Sequence, residues 1–121
     1  MFHKKEAEQI LLIKRGLKMK SYKLVRDNIP EIMENQGKSP KCRIANEAEY
    51  GELLKNKLLE EVDEFLESES TEELADILEV VHALCVFKKI TYEDLEEERL
   101  AKFKKRGGFA RRIVLEGEKS L

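Results

Sequence analysis

The sequence predicts a mostly helical domain: a bundle around an antiparallel helical hairpin, with a small two-stranded β element beside it. Three observations predict this. Leu54, Leu58, Val62 and Phe65 recur at helical spacing, as do Leu74, Ile77, Leu78, Val81, Leu84 and Cys85. Cap residues stand before each run and before a third one. Only Ser68–Ser70 separates the first two runs, too short a break for anything but a tight turn.

Length and composition set the bounds. A chain of 121 residues is one domain's worth, able to bury roughly two-thirds of its unfolded surface. Hydrophobic residues at 41% exclude disorder from end to end, even with 40% charged residues. No apolar run approaches the roughly 20 residues of a membrane span. Cys42 and Cys85 are too few for a disulfide framework, and no secretory signal pattern is present. The expectation is a cytoplasmic protein with reduced thiols, neither of which carries chemistry. His3 and His82 are too few to build a histidine-based zinc site.

Each element has a local reason. Residues 1–20 form a basic, weakly amphipathic extension ahead of a single helical domain over 21–121. Asp27 or Asn28 caps a short helix over Ile29–Gln36, with Pro30 in its first turn and Gly37 as its stop. Arg26 beside Asp27 reads as a local ion pair. Cys42–Ala45 reads as a short strand. Asn46-Glu47-Ala48-Glu49 fits a capping box and starts the longest helix. Ser70 or Thr71 caps the next. Thr91 caps the last, Tyr92 to about Arg106, which Gly107-Gly108 ends. Phe109–Leu115 alternates imperfectly and is the expected partner strand for Cys42–Ala45.

Charge is segregated along the chain although the net is only −2. Between Asn46 and Glu79 thirteen acids face only Lys55 and Lys57, whereas Arg99–Arg112 holds seven bases and no acid. Such a layout suits a site where acids hold cations and bases hold phosphates. Solvated helix faces with a basic tail would give the same layout.

Spacing narrows the choice. Glu60-Glu61-Val62-Asp63-Glu64 lies on the first helix of the hairpin and Glu73-Leu74-Ala75-Asp76 on the second. Glu61 with Glu64, and Glu73 with Asp76, are three apart and share a helix face. Reflected about a midpoint between Ser68 and Glu69, Glu64 meets Glu73 and Glu61 meets Asp76. A helical wheel puts Glu73 inside the apolar arc, Asp76 at its edge, Glu61 at the boundary of the other arc and Glu64 farthest out. Carboxylates 5–6 Å apart repel by roughly 3 kcal/mol at an effective dielectric of about 20. Near an apolar seam four of them either take up protons or hold a divalent cation. All-carboxylate ligation favours a hard ion, Mg²⁺ or Mn²⁺. At the level of residues one competing reading of Glu73 stands: it closes a capping box with Ser70.

An EExxE followed by ExxD on a helical hairpin resembles the all-α nucleoside triphosphate pyrophosphohydrolases. The chain is most similar to the small MazG-like, phosphoribosyl-ATP pyrophosphohydrolase-like subgroup with a house-cleaning role. Tyr22-Lys23-Leu24-Val25-Arg26-Asp27-Asn28-Ile29-Pro30-Glu31-Ile32 and Lys105-Arg106-Gly107-Gly108-Phe109 carry the resemblance further, over roughly residues 22–116. The resemblance implies Mg²⁺-dependent cleavage of a nucleotide between its α- and β-phosphates, giving a monophosphate and pyrophosphate. It implies Glu61, Glu64, Glu73 and Asp76 as metal ligands and Glu60 as a residue that orients water or assists the site; by charge, Glu60 or Glu61 is the catalytic group that takes the water's proton. It also implies a homodimer or homotetramer. Glu64 and Glu73 have only eight residues between them, fewer than is usual in MazG. Lys57, Lys104, Arg106 and Arg111, with Arg112, are candidate phosphate contacts by charge. The alternative is a non-catalytic helical module that keeps the fold and binds partners through its charged faces. A nucleic-acid binder using Arg99–Arg112 is the weakest reading, because net charge is negative, aromatics are few and no DNA or RNA motif stands out.

Overall fold

The computed structural model describes residues 23–119. Four helices follow in order: α1 (Ile29–Asn35), α2 (Glu47–Ser68), α3 (Thr71–Phe87) and α4 (Tyr92–Arg106). The fold is all-α. Among the described residues no strand forms, so the expected pairing of Cys42–Ala45 with Phe109–Leu115 is not made. Both segments lie open, with Ile44 and Phe109 almost wholly exposed. A two-stranded ribbon with no apolar face to cover has little to hold it together. The basic extension over residues 1–20 lies outside the described residues.

Cap chemistry fixes the helix ends. Asn46 Oδ1 accepts the Glu49 backbone N–H at 2.9 Å, which is one half of the expected capping box. The other half is absent because the Glu49 carboxylate takes both guanidinium nitrogens of Arg43, each at 2.6 Å. Thr91 and Asp94 form a complete box at the start of α4. Glu69, at φ 55°, turns the chain from α2 into α3. At the far end of α3 the Lys89 N–H bonds the Val86 carbonyl and the Ile90 N–H bonds that of Cys85. These bonds make a Schellman ending whose left-handed residue is a lysine, at φ 61°.

Helices α2 and α3 pack closely along their length, and α3 touches α4 more lightly. The mirror register holds to the far end of the hairpin, where the Tyr50 and Phe87 rings meet edge-to-face with centroids 5.7 Å apart. Gly51 makes this approach possible, since a Cβ there would lie 2.6 Å from the tip of the Phe87 ring. Among the described residues the buried set is small: Gly51, Leu53, Leu54, Val80, Cys85 and, among them, Glu61. The apolar arc of α3 is wider than the seam it fills. Leu74 and Leu78 stay about half exposed, and Leu66 on α2 is 70% exposed.

Candidate metal centre

At the turn end of the hairpin the seam is acidic. One carboxylate oxygen from each of Glu61, Glu64, Glu73 and Asp76 lies within 4.8 Å of the others. The reflected spacing of the two motifs thus becomes a physical cluster, two acids from α2 meeting two from α3. Antiparallel axes at ordinary packing distance allow this when the side chains point into the seam.

Burial differs from the wheel's expectation at Glu61 and at Glu64. Glu61, placed by the wheel at a boundary, is only 5% exposed and is the one buried charged residue among those described. Leu54 lies one heptad before it, almost on the same line of the helix, and is equally deep. Leu66, which the seam leaves out, had drawn the apparent centre of the arc away from that line. Glu64, which the wheel placed farthest out, is half-buried like Glu73 and Asp76.

Glu61 is electrostatically awkward. Its Oε1 lies 3.3 Å from Lys57 Nζ, but its Oε2 is buried with no hydrogen-bond partner. Burial pushes its carboxyl up from 4.5 to about 7; Lys57 opposes the rise and the Glu64 carboxylate reinforces it. The capping alternative for Glu73 is not realised. The Ser70 side chain makes no cap bond, and the Ser70 backbone N–H donates to Ser68 Oγ at 3.3 Å.

Basic residues divide sharply. Lys57, expected at a phosphate, is instead mostly buried and also reaches Glu60 Oε2 at 3.4 Å. Lys104, Arg106 and Arg111 are exposed, and among the described residues no ion pair joins them to the acidic side chains. Arg112, at φ 57°, is exposed beyond the end of α4. Arg26 does not pair with Asp27. Its Nη2 lies 2.6 Å from Asp76 Oδ1, a member of the cluster fifty residues away. Lys23 Nζ lies 2.7 Å from Glu60 Oε1. Sequence reasoning missed both contacts: it paired Arg26 with Asp27 and assigned Lys23 no partner. His82 is half-buried and stacks on Tyr92, with centroids 4.1 Å apart. Cys42 is exposed and Cys85 buried, both as free thiols.

Compared with known proteins, the chain matches no family model, no curated protein and no solved structure. Among the described residues no helix is long and apolar enough to cross a membrane.

Proposed function

We propose that the hairpin is a Mg²⁺- or Mn²⁺-dependent nucleotide pyrophosphohydrolase site, the activity that the MazG-like resemblance implies. The observation that carries this reading is the buried, unpartnered Glu61 Oε2 inside a cluster of four convergent carboxylates. A carboxylate on a solvated acidic face keeps its oxygens on water, whereas Glu61 is 5% exposed and shares its seam with the Glu64 carboxylate. The donor set is all oxygen and highly anionic, so it fits a hard divalent cation.

Glu61 and Glu64 from α2, with Glu73 and Asp76 from α3, hold the ion. Bound there, it supplies positive charge against a polyphosphate and Lewis acidity toward water. Glu60, outside the four ligands and bonded by Lys23 and Lys57, is the carboxylate left to orient the attacking water and take its proton. The water oxygen bonds to phosphorus on one side of the α–β bridge. The bridging oxygen leaves with the electron pair, so the products are a nucleoside monophosphate and pyrophosphate. The expected result with a panel of nucleoside triphosphates and Mg²⁺ is pyrophosphate release from at least one of them. No release from any, together with no thermal stabilisation by Mg²⁺, favours the non-catalytic module.

The small core supports a second statement. Leu66, Leu74, Leu78 and Phe103 present apolar area that a single chain leaves open to water. The proposed assembly is a homodimer or homotetramer that covers this area. Light scattering at micromolar concentration is expected to give a mass of two or four chains, and a monomer contradicts it.

A further inference from the structure

Two cations from the segment ahead of α1 span the hairpin above its acidic end. Lys23 bonds Glu60 on α2 and Arg26 bonds Asp76 on α3. The segment has no helix or strand of its own. Two backbone bonds tie it to α1: the Ile29 N–H donates to the Arg26 carbonyl and the Ile32 N–H to that of Asn28, each at 3.0 Å. Its side chains therefore anchor it across both helices of the site.

We infer that Arg26, with Lys23 beside it, is a phosphate-binding residue for the polyphosphate substrate, held on Asp76 until that carboxylate is given to the cation. The inference rests on the metal reading above and deepens it. Asp76, a proposed ligand, spends an oxygen on Arg26. An oxygen committed to a divalent ion is withdrawn from that pairing. The pair is surface-exposed, 54% on the arginine side, and such pairs contribute little to stability, so its release is cheap. The guanidinium engages Asp76 through one nitrogen, and its planar fork suits two oxygens of a phosphate.

Charge balance points the same way. Four carboxylates and one divalent ion leave the cluster net negative, which repels an incoming phosphate. A cation must stand at the mouth of the site. Lys57 is turned into the seam between Glu60 and Glu61, its side chain only 18% exposed. Lys104, Arg106 and Arg111 are not joined to the cluster. Arg26 is at the mouth, exposed, and already attached to a ligand.

The test measures two bindings separately on the full chain: Mn²⁺ alone, by loss of its free electron paramagnetic resonance signal, then inorganic pyrophosphate at saturating Mn²⁺, by calorimetry. Arg26→Gln is expected to bind Mn²⁺ at least as tightly as the wild type, yet to lose about tenfold or more in pyrophosphate affinity. Arg26→Lys keeps the charge and the ion pair but loses the fork, so an intermediate loss is expected and reads the contact independently of folding. Unchanged pyrophosphate affinity in Arg26→Gln overturns the inference while leaving the metal reading intact. Parallel loss of Mn²⁺ and pyrophosphate affinity in both variants also overturns it, because Arg26 then merely orients Asp76. Failure of the wild type to bind Mn²⁺ overturns the metal reading and this inference together.

Discussion

Replacing Glu61 by Gln is expected to stabilise the metal-free protein at neutral and alkaline pH while removing its affinity for divalent cations. The folded-state carboxyl titrates at about 7 against 4.5 unperturbed, chiefly because it is buried. Between those two values the folded chain holds a proton that the unfolded chain has released. The metal-free protein is therefore most stable, as far as this group decides, below the unperturbed value. That stability is lost as pH rises through about 7. The loss is roughly 1–3 kcal/mol, the lower end allowing for solvent screening. Glutamine has no proton to lose, so the variant's unfolding midpoint is expected to vary less between pH 5 and pH 8. Denaturant titrations at both pH values check this. A variant less stable than the wild type at pH 8 contradicts it.

Glu73→Gln carries the other large effect. Glu73 brings the second helix's charge into the seam opposite Glu64, and no cap bond from Ser70 gives it a local alternative. Neutralising it removes a repulsion on the order of 3 kcal/mol per close pair at an effective dielectric of about 20. The expected outcome is a metal-free protein as stable as the wild type or more so, with pyrophosphate release down about a hundredfold or more. Retained turnover, or marked loss of stability without metal, assigns Glu73 a structural role instead.

The parts of this site that were legible in the sequence are those where one period decides the outcome. Two acidic motifs at equal distance from a midpoint between Ser68 and Glu69 meet in one register when the helices run antiparallel, and Tyr50 against Phe87 continues that register. The caps at Asn46 and Thr91 were legible for the same reason, since a side-chain oxygen three residues ahead of an amide has little else to bond.

What pattern missed depends on distance in the chain. The depth of Glu61 depends on which part of a broad apolar arc meets α3, and Leu66 and Leu74 belong to the arc without belonging to the seam. The pairing of Arg26 with Asp76 joins residues fifty apart, and Asp27, its immediate neighbour, looked the easier partner. The Schellman ending at Lys89 has no glycine to announce it. Phe109–Leu115 carried some alternation, but alternation without an apolar face to cover builds no ribbon with Cys42–Ala45.

The central claim is that α2 and α3 bring four carboxylates together to hold one hard cation. Titrating Mn²⁺ into the full chain and following its free resonance signal tests this most directly, with a variant carrying Gln at 61, 64 and 73 and Asn at 76 beside it. The account predicts saturable uptake by the wild type and none by the variant. Equal uptake by both proteins, or none by either, contradicts it.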